Sequence, residues 1–136
     1  MDADEARTFL RSNHRAVLAT VRQDGRPAMS PVVAAVDGQG RVVVSTRETA
    51  MKVKHVRRDP HVSMCAFGDG FFGQWVQVEG TAEIVELPEA MDLLVAYYRD
   101  ISGEHPDWDD YRAAMQRERR VVIRFAIERA GPNVSG

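Results

Sequence analysis

The sequence predicts an α+β fold, mainly β, in which six or so antiparallel strands close a barrel flanked by helices. Three observations carry this expectation. Two turn signals, Asp24-Gly25 and Asp37-Gly38-Gln39-Gly40, join three early strand patterns into hairpins. A long segment from Gln74 to Glu86 alternates apolar and polar residues, the period of a strand. The βαβα rhythm of a doubly wound sheet is missing, and so is any G-x-G-x-x-G or phosphate-loop motif.

Taken in order, residues 3–12 read as a short helix with Ala6, Phe9 and Leu10 on one face. Arg15 to Arg22 is a strand whose apolar run, Ala16 to Val21, suits a position buried on both faces. Met29 to Val36 and Arg41 to Thr46 are the next two strands. The period then changes, and Glu48 to Arg58 reads as a helix stopped by Asp59-Pro60, because Pro60 cannot continue it. His61 to Phe67 is a strand, followed by a glycine-rich loop, 68–73, that carries Phe71 and Phe72. After the long strand, Pro88 opens a helix running to about Ile101, proline being suited to a first helical turn. Asp107 to Glu118 is a further helix and Arg119 to Glu128 the last strand. Residues 130–136 read as a frayed, flexible tail. With no internal repeat and no linker, residues 1–136 form one domain, of which 1–14 is an N-terminal helical segment.

The composition excludes several classes of function. An apolar fraction of 44% and a net charge of -2 describe an ordinary globular chain with no overall attraction to nucleic acid or to an anionic membrane. The single cysteine, Cys65, permits no disulfide within the chain and suits a reducing cytoplasm. The acidic start lacks the features of a secretory leader, and no apolar run approaches bilayer-spanning length. The charge is nevertheless unevenly spread. Arg47 to Arg58 holds five basic residues against Glu48 alone, and Asp100 to Asp110 holds five acids with no Lys or Arg. The first segment predicts an anion site or a contact between subunits.

Candidate chemistry sits in three places. On the long strand, Val76, Val78, Gly80, Ala82 and Ile84 face one way; Trp75, Gln77, Glu79, Thr81 and Glu83 face the other. Trp75 is thus either a wall for a planar cofactor or a dimer contact, and both hold if the cofactor lies in the interface. On the last strand, Val121, Ile123, Phe125 and Ile127 face a core, while Arg120, Val122, Arg124, Ala126 and Glu128 face away. Arg120 and Arg124 on that face either converge on an anion or are solvated. Finally, Ser45-Thr46-Arg47-Glu48-Thr49 leads into the basic helix, with Lys52 one turn in. Free N–H groups, the helix dipole and Lys52 favour an anion there; capping by Thr46 or Thr49 beside a solvated lysine is the alternative. The four histidines show no metal-ligand spacing, and Glu104-His105-Pro106-Asp107 reads as an acidic loop that caps the next helix.

These segments, in order, resemble the pyridoxamine 5′-phosphate oxidase-like split-barrel superfamily. More closely, they resemble the actinobacterial flavin/deazaflavin oxidoreductases that use the deazaflavin coenzyme F420. The resemblance is carried by Ala16-Val17-Leu18-Ala19-Thr20, Asp24-Gly25-Arg26-Pro27 with Ser30, and Lys52 through Arg57-Arg58-Asp59-Pro60. It continues through Trp75 to Ala82, Tyr98 to His105, Asp107-Trp108-Asp109-Asp110-Tyr111-Arg112 and Arg119-Arg120-Val121.

The resemblance implies a split barrel and a homodimer with two cofactor sites between subunits. It implies a cofactor phosphate near Ser45, Thr46 and Lys52, a ring system beside the second strand around Ser30 to Val32, and further cofactor contacts at Thr49 and Met51. Trp75 and Gln77 would approach from the long strand. The expected cofactor is coenzyme F420, with FMN as the alternative, and the expected activity is hydride transfer to or from a small organic substrate. A non-catalytic carrier of the same ligands is the other class of function. Position 50 is Ala, where close relatives can carry another basic residue. The arginine-bearing C-terminus of true pyridoxamine phosphate oxidases is missing, so oxidation of vitamin B6 is not expected.

Overall fold

The computed structural model describes residues 1–70 and 72–132; Phe71 and the end of the expected tail, 133–136, lie outside the described residues. The chain order is α1 (Ala3–Ser12), β1 (Arg15–Val21), β2 (Pro27–Val36), β3 (Val42–Arg47), α2 (Met51–Arg58), β4 (His61–Phe67) and β5 (Trp75–Val85). There follow α3 (Ala90–Ser102), α4 (Trp108–Arg117), β6 (Arg120–Phe125) and β7 (Arg129–Gly131). Every strand pair is antiparallel. The strand order β4-β1-β2-β3-β6-β5, with β4 also paired to β5, closes a six-stranded barrel.

Two strands serve both halves of this barrel. Residues 27–33 of β2 pair with β1, whereas 34–36 pair with β3. Likewise 75–81 of β5 pair with β4, whereas 82–85 pair with β6. The barrel is split where the partners change. Gly80 stands at the β5 change-over; a Cβ there would lie 2.3 Å from the Ala126 carbonyl oxygen and 2.7 Å from Phe125 Cδ2. Only a residue without a side chain lets the strands approach this closely.

The interior follows the alternation read from the sequence. Val76, Val78 and Ala82 of β5 are buried with Ile123 and Phe125 of β6, Leu18 of β1 and Met64 of β4. The amphipathic α1 adds Ala6, Phe9 and Leu10 to the same cluster, capped at its start by Asp2, whose carboxylate accepts from the Glu5 N–H. A second core lies on the opposite face of the sheet. There Ala35, Val43 and Val122 are covered by Leu94 and Val95 of α3 and by Tyr111 and Met115 of α4. Val122 therefore does not face solvent as the alternation of β6 alone implied: α3 and α4 bury that face.

Three boundaries also differ from expectation. The basic helix begins at Met51, not Glu48, because Thr46 and Arg47 still belong to β3 and a turn intervenes, with the Ala50 N–H bonded to the Arg47 carbonyl. Thr46 and Thr49 cap nothing; Ala50 occupies the cap position and no side chain caps α2. Pro88 lies in a turn, and α3 starts at Ala90. Part of the expected tail is ordered as β7, because β5 leaves one edge free at 77–79 and residues 129–131 fill it.

One buried polar pair links α2 to the barrel. The Thr20 hydroxyl and His55 Nδ1 are 2.9 Å apart, and both residues are buried. Burial holds the His55 imidazole below its ordinary value of 6.5, and Arg58 and Arg22 add repulsion. The unfolded chain therefore takes up this proton first, so stability falls as pH drops below about 6.5 and levels off below the folded-state value. Thermal melts between pH 7.5 and 5.5 should show this loss. His55→Gln should flatten it; an unchanged pH dependence in that variant would refute the assignment.

Candidate functional site

The pairing change in β2 frees one edge of residues 27–33 and leaves the end of β3 without a partner on that side. A cavity of about 900 Å³ opens at this gap. One wall comes from the sheet: Arg15, Ala16 and Val17 of β1, Pro31, Val32 and Val33 of β2, and Phe67 of β4. Ser45 and Thr46, at the end of β3, and Lys52 of α2 line it as well. Tyr97, Tyr98, Tyr111 and Met115, from the helical layer, provide the other wall, joined by Arg120 of β6.

The register explains which sheet residues reach the cavity. Val33, Arg15, Phe67 and Trp75 stand directly opposite one another across four strands, and so do Pro31, Val17, Cys65 and Gln77. Directly opposed residues share a face. These rows lie on the outside of the barrel, because Leu18 and Met64, which alternate with them, belong to the interior. The cavity is thus a groove along the outer face, the face that also exposes Met29, Val33 and Trp75.

The candidate residues divide accordingly. Val32, Ser45, Thr46 and Lys52 are brought together around one cavity. Ser30 pairs with core Leu18 and points inward, and it does not line the groove. Thr49 and Met51 are exposed in the turn and first residue before and in α2, and neither lines it. Trp75 and Gln77 share the outer face but sit one strand beyond Phe67 and Cys65, outside the groove. Gln77 donates to Glu79 beside Arg129 of β7.

The charge pattern is selective. Arg47 and Arg120 both donate to Glu118, Arg57 pairs with Glu86, and Arg58 donates to the Val21 carbonyl. Those residues are spent on structure, so the basic run does not offer a continuous strip of free cations. Arg124 pairs with Glu83 and does not converge with Arg120. Among the described residues, Lys52 and Arg15 line the groove without an ion-pair partner. Lys54, two positions on, is exposed because steps of about 100° turn it to the far side of α2. Uncapped N–H groups at the start of α2 add to the pull on an anion.

The helical wall is held in place by its own contacts. The Tyr111 hydroxyl donates to the Leu94 carbonyl at 2.8 Å. Tyr98 packs on His105, Trp108 and Tyr111 with ring centroids 5.0–5.8 Å apart. Glu104 accepts from Arg99 Nε and from the Trp108 indole, and the Arg99 guanidinium lies 5.0 Å from the Trp108 ring. Asp107 caps α4, as the acidic loop implied. The Tyr97 hydroxyl donates to the Val33 carbonyl at 2.7 Å. Burial pushes the Tyr97 phenol up and the Tyr111 phenol up to about 12, so both stay neutral at physiological pH. Sequence reasoning missed this wall. The adjacent pair Tyr97-Tyr98 was the available signal: neighbours 100° apart on a helix cannot share the centre of one apolar face.

The chemistry on offer is that of a binding groove. The lining offers the Ser45 and Thr46 hydroxyls and, among the described residues, two cations without an ion-pair partner, a set suited to anionic groups, while its aromatic and aliphatic walls suit a planar body. Among the described residues no group of three or more His, Cys, Asp or Glu is placed to hold a metal, and no helix is long and apolar enough to cross a membrane.

Comparison with known proteins agrees with this architecture. The family description "Pyridoxamine 5′-phosphate oxidase" matches residues 3–132. A conserved hypothetical protein of Mycobacterium tuberculosis is similar at 29% identity and a TM-score of 0.78, over 100% of this chain and 92% of that one. A protein described as an F420 reductase is similar at 22% identity and 0.71, over 91% and 94%. The heme storage protein HutZ of Vibrio cholerae shares the fold at 20% identity and 0.70, over 94% and 92%.

Proposed function

We propose, from the premise that the chain belongs to the pyridoxamine 5′-phosphate oxidase family, that it is an oxidoreductase subunit using coenzyme F420. The observation that carries this reading is the groove with Lys52 and Arg15 both on its lining and, among the described residues, without an ion-pair partner. The deazaflavin tail continues past its phosphate into carboxylates, which gives a second cation along the groove an anionic partner of its own. Similarity to a protein described as an F420 reductase supports the same choice.

In this reading Lys52, Ser45, Thr46 and the start of α2 hold the phosphate, and Pro31 and Val33 with the tyrosine wall flank the ring system, the Val32 side chain being turned inward with Ala16. The bound deazaflavin supplies hydride transfer to or from a polarised double bond of a small organic substrate. The protein's own share is to bind, orient and exclude water. Tyr97 and Tyr111, their hydroxyls held by the Val33 and Leu94 carbonyls, place no charge beside the ring.

A second copy of the chain completes the site. The outer face that flanks the groove exposes Met29, Val33 and Trp75, and a two-fold partner laid there would roof it. Trp75 and Gln77, which do not line the groove of their own chain, would then serve across the interface.

Matched titrations with coenzyme F420 and FMN, followed by quenching of tryptophan fluorescence, test the proposal. Tighter binding of F420 to a particle of twice the monomer mass in sedimentation is the expected result. Tighter binding of FMN, or of neither, would overturn the cofactor choice. Binding of F420 without turnover of any reducible substrate would favour the carrier.

A further inference from the structure

Register sets two arginines side by side at one end of the groove. Arg47 of β3 stands directly opposite Arg120 of β6, and directly opposed residues share a face. Ser45 and Val122, the pair two steps back, lie on that face too, and Ser45 and Arg120 both line the groove. Like charges directly opposite one another repel, so this pair calls for an anion between them. The chain brings its own. Arg120 donates from Nε and Nη2 to one oxygen of Glu118, at 3.2 and 2.8 Å, and Arg47 donates to the same oxygen at 3.3 Å. Glu118 is delivered by the helical layer: it ends α4, its N–H bonded to the Ala114 carbonyl, and Arg119, at φ 52°, turns the chain into β6. The Arg120 guanidinium holds the Glu118 carboxyl below the usual carboxylate range, so it is ionised at neutral pH.

We infer that Glu118 is a specificity-determining residue: its carboxylate takes the anion position between Arg47 and Arg120, withholds Arg120 from the groove, and so favours a phosphodiester over a phosphomonoester. The inference rests on the reading of the groove as a cofactor site with its phosphate near Ser45, Thr46 and Lys52. A phosphomonoester, as in FMN, carries about two negative charges near neutral pH. A phosphodiester, as where the deazaflavin tail continues past its phosphate, carries a single one. Lys52 meets one charge. A second would need a second cation at the same end, and Arg120, which lines the groove there, has its donors turned to Glu118. Glu118 thus acts as a built-in competitor for the dianion.

Glu118→Gln keeps the length of the side chain and removes its charge. Affinity for FMN should rise by about tenfold or more, the worth of one charge-assisted hydrogen bond. Affinity for coenzyme F420, whose phosphate Lys52 already meets, should rise by no more than about threefold. Glu118→Ala, which leaves no acceptor at all, should show the same preference and decides the matter if the Gln variant does not fold. The double variant Glu118→Gln/Arg120→Gln should lose the gain for FMN. Glu83→Gln removes the same charge beside Arg124, and should leave the preference between the two cofactors as in the parent. Unchanged or weaker FMN binding in Glu118→Gln, an equal gain for both cofactors, a gain that survives in the double variant, or the same shift in Glu83→Gln would overturn the inference. If the parent and the variants bind neither cofactor, the cofactor reading falls. Titration with inorganic phosphate, followed by the amide resonances of Ser45 and Thr46, then still decides the role of Glu118: tighter phosphate binding in Glu118→Gln supports it, and equal binding refutes it.

Discussion

Lys52→Ala should weaken cofactor binding by on the order of 10- to 100-fold, and Lys54→Ala should not. A charge-assisted hydrogen bond to an anion is worth roughly 1.5–3 kcal/mol, and each ~1.4 kcal/mol is tenfold in affinity. Lys52 is half-buried, lines the groove and has no ion-pair partner among the described residues, so its full charge is available to a ligand. The neighbouring basic residues cannot substitute, because Arg47, Arg57 and Arg58 are engaged by Glu118, Glu86 and the Val21 carbonyl. Lys54 faces water, where salt screens whatever it contributes. Titrations of both variants at low and moderate salt, with circular dichroism to confirm folding, provide the check. Equal affinity in Lys52→Ala and the parent, or a larger loss in Lys54→Ala, would contradict the assignment.

Gly80→Ala should cost roughly 3 kcal/mol of stability, the upper end for overpacking a well-packed interior. The obstruction is backbone, not a flexible side chain: the Ala126 carbonyl oxygen would be 2.3 Å from the new methyl carbon, and Phe125 would close it in from the side. Moving Ala126 away strains two connections. The Glu128 N–H donates to the Glu79 carbonyl just beside Gly80, and β7 pairs with 77–79 immediately beyond. For a chain of this size the melting temperature should drop by about 10 °C or more. A variant melting within about 2 °C of the parent would show that the crossing relaxes freely, contrary to this packing argument.

The barrel was legible because its signals are local. Asp24-Gly25 and Asp37 to Gly40 mark hairpins, and the alternation of β5 places Val76 and Val78 inside by itself. The meeting of Ser45, Thr46 and Lys52 at the groove was legible for a similar reason, since they lie within eight residues of one another. What escaped depends on contacts distant in sequence. Val122 reads as outward-facing until α3 and α4 are laid over it, and nothing within 119–128 announces that cover. The Tyr97 hydroxyl finds its partner in the Val33 carbonyl, 64 residues away. Arg47 and Arg57 look like ligands for an anion until Glu118 and Glu86 are found beside them. Residues 129–131 carry no strand pattern of their own; the vacant edge of β5 recruits them.

The groove and the exposed outer face are built on one ribbon, β1 with the first part of β2, so that Pro31 and Val33 belong to both at once. Occupancy of one is thereby written into the free energy of the other. If a second copy covers that face, then whatever factor a ligand adds to the association constant of the two chains, association must add to the affinity for the ligand. Ligand affinity measured on such a protein is then a function of protein concentration, rising as dilute chains pair, and two laboratories working at different dilutions would measure different constants for the same molecule.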